Sequence, residues 1–183
     1  MKRTDYTIEV CANSVQSCIA AQQGGADRVE LCAALAEGGI TPSFATIALA
    51  RANTDIALHV IVRPRGGDFL YTALEVATME ADIQAMHSLQ VDGVVVGCLT
   101  ADGDIDLRTL DRLMEAAQGL PVTFHRAFDR CRNPLEAMRQ LRAAGVARIL
   151  TSGQQPTAPE GTDLLRQLVS EAGPQLSIMP GCG

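Results

Sequence analysis

The chain predicts an α/β fold, a TIM-type (β/α)8 barrel that breaks off after strand seven. Three observations carry this. Short β-branched, apolar runs alternate with helical patterns along the 183 residues, the pattern of a parallel sheet with right-handed crossovers. Polar residues recur at the strand ends, at Glu9, Glu30, His59, Arg63, His125, Arg126 and Ser152, and a barrel gathers its functional groups at its C-terminal rim. No Gly-x-Gly-x-x-Gly follows the first strand, which weighs against the competing open, doubly wound sheet.

The elements follow in order. Strand one covers 7–11, and helix one covers 14–23, stopped by Gly24-Gly25. Strand two covers 28–32. Helix two covers 42–52, with Thr41 as cap and Pro42 at the first helical position. Strand three runs over 56–62 into Arg63. Helix three spans 73–89, opened by Thr72-Ala73-Leu74-Glu75 at capping-box spacing. Strand four covers 93–97, and helix four covers 107–118 and ends at Gly119. Strand five spans 121–125. Helix five spans 134–144, with Asn133-Pro134-Leu135-Glu136 repeating the capping spacing and Gly145 as its stop. Strand six covers 148–151, helix six 161–172 and strand seven 175–179.

A closed barrel needs eight strands and typically about 250 residues. Residues 1–183 therefore read as one TIM-barrel-like domain lacking helix seven, strand eight and helix eight. Strands one and seven would expose unpaired edges, which invites a homo-oligomer.

Composition narrows the function. Hydrophobic residues make up 47% and charged residues 20%, which excludes a disordered chain. The net charge is −6 without a basic cluster, which argues against a nucleic-acid partner. No apolar run reaches membrane-spanning length, and the first residues lead into a strand rather than a signal segment. Six cysteines without a Cys-x-x-Cys pair fit a reduced, cytoplasmic protein. The only lysine is Lys2, which disfavours Schiff-base chemistry.

The strongest chemical clue is a repeat. Ile8-Glu9-Val10-Cys11 returns as Val29-Glu30-Leu31-Cys32. Side chains alternate along a strand, so Glu and Cys of each copy share a face. Paired strands would gather two carboxylates and two thiols. Cys11 and Cys32 could hold one Cu(I) between soft sulfurs, stay as inert buried thiols, or form a disulfide. Glu9 and Glu30, one layer below the thiols, could serve as acid and base or join a buried ion-pair network with Arg63. His125 and Arg126, expected on opposite sides of strand five, offer a base and an anchor; His59 lies deeper, as a core residue. Arg63, Arg65 and Asp68 belong to a loop suited to a carboxylate or phosphate, unless Asp68 neutralises the arginines. Ser152 lies where barrels often hold phosphate. Cys18, Cys98 and Cys131 read as incidental, and His87 as a surface residue.

Four motifs then carry a resemblance. They are Leu31-Cys32-Ala33-Ala34-Leu35-Ala36-Glu37-Gly38-Gly39-Ile40-Thr41-Pro42-Ser43, Arg63-Pro64-Arg65-Gly66-Gly67-Asp68-Phe69-Leu70-Tyr71, Phe124-His125-Arg126-Ala127-Phe128-Asp129 and Leu150-Thr151-Ser152-Gly153. In this order the chain resembles the CutC family from about residue 7 to 183. The resemblance implies a TIM barrel, a cytoplasmic protein, a role in copper homeostasis, and Cu(I) binding at Cys11 and Cys32. The family continues into an eighth strand after a glycine-rich turn, where this chain carries Cys182 and stops. Two functions are carried forward: a copper homeostasis protein with Cu(I) at Cys11 and Cys32, and a barrel enzyme acting on a small anionic metabolite. The enzyme would use Glu9, Glu30 and His125 for acid–base work and Arg63, Arg65, Arg126 and Ser152 as anchors.

Overall fold

The computed structural model describes residues 6–182; Lys2, the rest of the leading segment and Gly183 lie outside the described residues. The chain alternates as expected: β1 (Glu9–Ala12), α1 (Val15–Gln23), β2 (Arg28–Leu31), α2 (Phe44–Asn53), β3 (Ala57–Ile61), α3 (Ala73–Ser88), β4 (Gly93–Val96), α4 (Leu107–Ala117), β5 (Val122–Phe124), α5 (Pro134–Ala143), β6 (Arg148–Thr151), α6 (Thr162–Ala172) and β7 (Ser177–Pro180). Two short 3-10 turns, Leu35–Glu37 and Arg126–Arg130, follow β2 and β5.

Helix starts follow side-chain chemistry. The Ser14 and Asn133 side chains accept from the Ser17 and Glu136 amides, and Thr72 and Glu75 form a reciprocal capping box. The cap of α2 is Ser43, not Thr41. The Thr41 hydroxyl is engaged elsewhere: it accepts from the Arg63 amide (2.9 Å) and donates to the Arg63 carbonyl (3.1 Å). That clamp ties the loop after β2 to the end of β3.

All seven strands pair in parallel and in chain order, giving a curled half-barrel. Among the described residues, β1 and β7 are each paired on one side only. The outer face is apolar: Val29, Leu31, Leu58, Val60, Val94, Val96, Val122, Phe124 and Ile149 are buried in one core with Met79, Ile83, Leu110, Leu113, Met138, Leu141 and Leu168 from the helices. The alternating inner positions carry a small apolar cluster, Cys32, Ile61 and Val95, and a set of buried polar side chains, Glu30, His59, Thr123 and His125. Alternation thus separates a hydrophobic wall from a chemical interior.

Register corrects the reading of the repeat. Glu9 pairs with Arg28, and Cys11 with Glu30. The two Glu-x-Cys copies are offset by two residues, so Glu30 lies beside Cys11 rather than a layer below it. Strand tilt and stagger in a barrel set that offset. Glu9 also opens its strand instead of closing it, placing it at the floor of the interior.

Two glycines make room for the interior histidines. A Cβ on Gly93 would sit 2.5 Å from His59 Cε1, and one on Gly97 would land on the His125 ring and against Ala127. Gly97→Ala should therefore displace His125 and destabilise the fold by about 1–3 kcal/mol, the usual range for overpacking. Urea unfolding measures the loss, and the His125 side-chain NMR signal reports the displacement.

Candidate functional site

The curled sheet encloses a cleft of about 1040 Å³, lined by Glu9, Cys11, Arg28, Glu30, Arg63, Phe69, His125, Arg126 and Arg148 among others. Its chemistry is layered. At the floor Arg28 forms an ion pair with Glu9 and donates to Met179 Sδ (3.4 Å). Arg148 donates to Thr123 Oγ1 (3.0 Å) and to His59 Nδ1 (3.3 Å). Burial, then the charges of Arg148 and Arg28, push the His59 pKa down to about 3, so this ring is neutral and acts as an acceptor. His59 does not itself line the cleft.

The middle layer holds Cys11, Glu30 and Cys32. The two sulfurs lie 3.7 Å apart, and Cys32 Sγ also donates to the Ala12 carbonyl at 3.5 Å. Both thiols are free. Cys11 is exposed and Cys32 is 1% exposed. Their mutual hydrogen bond, with burial and the Glu9 charge, pushes the Cys11 thiol up, while the same bond holds Cys32 below the ordinary thiol range. Glu30 is 7% exposed, and its Oε2 has no partner within the protein. Burial, Glu9 and Cys11 raise its pKa to about 8, against a smaller opposing effect of Arg28.

The upper layer holds Arg63, Phe69 and His125. The Arg63 guanidinium donates to the carbonyls of Glu37 (2.7 Å), Gly39 (3.0 Å) and Gly67 (2.7 Å). Phe69 lies 4.9 Å from Arg63 Cζ and 5.0 Å from the His125 ring. His125 Nδ1 accepts from the Ala127 amide (3.1 Å). Burial and the Arg63 charge push its pKa down to about 3.

The remaining rim candidates separate. His125 and Arg126 both line the cleft rather than facing opposite ways, because β5 ends at Phe124 and alternation ends with it. Arg126 donates to Asp129 Oδ2 (2.8 Å) and Ser152 Oγ (2.9 Å). Asp129 also accepts from Thr151 Oγ1 (2.5 Å) and the Gln154 amide (3.1 Å). Burial opposes that charge, yet these donors hold the Asp129 carboxyl below its usual range. Ser152 is therefore a strut between two loops. Arg65 stands outside the cleft, bound to Glu75 (2.5 Å) and Asp68 (2.9 Å) and over the Tyr71 ring.

Sequence reasoning passed over Arg28, Arg148, Phe69 and Asp129. Arg28 and Arg148 had a readable signal: each lies two residues before an inward position, Glu30 and Leu150, on the same face of its strand.

The two interior histidines set an acid limit. Unfolded histidines titrate near about 6.5, whereas these titrate at about 3. Below about 6.5 the unfolded chain binds protons that the folded chain refuses, so stability falls as pH drops from about 6.5 toward about 3. Side-chain 15N spectra should show His59 and His125 without a titration step between pH 5 and 8, numbers set by the ordinary imidazole range of about 5 to 8. A midpoint near 6.5 for either would contradict the burial argument.

The comparisons with known proteins agree with this architecture. Residues 6–183 match the CutC family profile. The chain is 58% identical over 179 residues to a family protein CutC of Bacteroides thetaiotaomicron, covering 97% of this chain and 72% of that protein. It is 54% identical to a family protein CutC of Chromobacterium violaceum, covering 98% and 72%. The solved structure of the proposed copper homeostasis protein CutC from Streptococcus agalactiae superposes with a TM-score of 0.89 at 36% identity, covering 94% of this chain and 85% of that one. A phosphonopyruvate hydrolase, at 13% identity and a TM-score of 0.64, shares the fold alone. No helix among the described residues is long and apolar enough to cross a membrane. The chain belongs to the CutC family.

Proposed function

We propose that this chain is a copper homeostasis protein that binds Cu(I) through Cys11 and Cys32 in the cytoplasm. The supporting observation is the 3.7 Å approach of the two sulfurs. Metal–thiolate bonds of about 2.3 Å allow one ion to touch both. The donor set fits a soft monovalent ion. Thiolates select Cu(I), and among the described residues no group of three or more His, Cys, Asp or Glu is placed to hold a metal. A four-coordinate zinc site therefore has too few ligands here. The exposed Cys11 meets the ion first, and the buried Cys32, walled by Ile61 and Val95, closes the pair.

Both thiols must lose their protons to bind the ion, so affinity rises with pH. Competition against a Cu(I) chelator tests the site under reducing conditions. The Cys11→Ser/Cys32→Ser variant should bind about 100-fold more weakly or worse, since even outer-shell changes weaken metal sites by about 10–100-fold. Cys18→Ser/Cys131→Ser should retain the wild-type affinity, and an equal loss in that variant would make the binding nonspecific.

A further inference from the structure

We infer that Arg63 and His125 form a binding site for the carboxylate of a small organic anion inside the barrel cleft. The two side chains are 4% and 5% exposed, and each carries a nitrogen, Arg63 Nε and His125 Nε2, with no partner within the protein. Buried polar groups of folded proteins are almost always hydrogen-bonded. Two orphans on neighbouring side chains that both line one cleft call for a ligand.

The geometry fixes both as donors. Of the five guanidinium N–H donors of Arg63, the carbonyls of Glu37, Gly39 and Gly67 take three, which leaves the orphaned Nε–H and one Nη2–H. No carboxylate of the described residues pairs with Arg63, so its buried charge is balanced by carbonyl dipoles and the neighbouring Tyr71 hydroxyl. The Ala127 amide donates to His125 Nδ1, which places the ring proton on Nε2. Phe69 touches both groups and holds them against one ring.

One full positive charge and two orphaned donors, Arg63 Nε–H and His125 Nε2–H, match a monoanion with two oxygens. A phosphate would bring a second charge and a third oxygen to the same two donors. Leu35, Ile61, Phe69 and Leu150 also line the cleft, so the carboxylate should carry a short apolar body. The site is separate from the proposed copper ligands and stands whether or not they bind metal.

The test uses the full chain, metal-free and in excess Cu(I) chelator. Its histidine side chains are followed by 15N NMR during titration with acetate and with butyrate, at fixed ionic strength. Acetamide and inorganic phosphate serve as comparators. Both carboxylates should move the His125 Nε2 signal saturably, butyrate more tightly than acetate, and acetamide should not. Arg63→Lys keeps the charge but loses the Nε–H, and should weaken butyrate binding by about tenfold or more, the scale of one lost hydrogen bond to a charge. Should that variant fail to fold, the wild-type titration carries the test alone. An unmoved His125 signal, an equal response to acetamide, or tighter binding of phosphate would each overturn the assignment.

Discussion

The buried guanidinium of Arg63 is the constraint around which the mouth of this barrel is built. A cation removed from water is costly unless its hydrogen bonds are replaced. Here the replacements are main-chain carbonyls from two loops, Glu37 and Gly39 on one side and Gly67 on the other. The Arg63 backbone is clamped in turn by Thr41. One side chain therefore fixes the loops after β2 and β3, and its charge adds to the burial that keeps His125 neutral. Where carboxylates would have neutralised it, carbonyls leave its net charge available to the cleft.

Charge in the interior is graded from floor to mouth. Glu9 neutralises Arg28, while Arg148 faces a neutral histidine and a threonine hydroxyl. Glu30 sits above them, and burial first, then the Glu9 charge and Cys11, outweigh the opposing Arg28 charge, so its carboxyl holds a proton into the neutral range. Neighbouring groups of the same residue type thus have different states: Glu9 is ion-paired, Glu30 is raised to about 8.

The alternation of strands and helices was legible because each strand is a short apolar run bounded by glycine, proline or aspartate, and observed bounds fall within two residues of the expected ones. The capping residues at Thr72 and Asn133 were legible for the same local reason. Thr41 was misread because its hydroxyl answers a tertiary demand, the Arg63 backbone, that no local pattern encodes. The repeat in β1 and β2 announced neighbouring strands, but register is a property of the closed sheet, so Glu30 was placed a layer too low. Arg63 and Arg65 looked equivalent in sequence. They diverge because the strand ends at Ile61, after which alternation no longer orders side chains. One guanidinium turns inward, and the other is held outside by Glu75 and Asp68.

The thiol pair and the arginine meet through a single loop residue. Gly39 accepts a hydrogen bond from Arg63 at 3.0 Å. A Cβ on Gly39 would lie 3.3 Å from Ile61 Cδ1 and 3.4 Å from Cys32 Cβ, and its φ of +87° favours glycine. The loop thus lies directly over the buried sulfur, close enough that only a residue without a side chain fits without strain. Arg63 holds this cover down, which accounts for the near-complete burial of Cys32 beside an exposed Cys11. An ion bridging the two sulfurs would be open to solvent on the Cys11 side and shielded on the Cys32 side. The asymmetry of the pair follows from the same guanidinium that organises the mouth of the cleft.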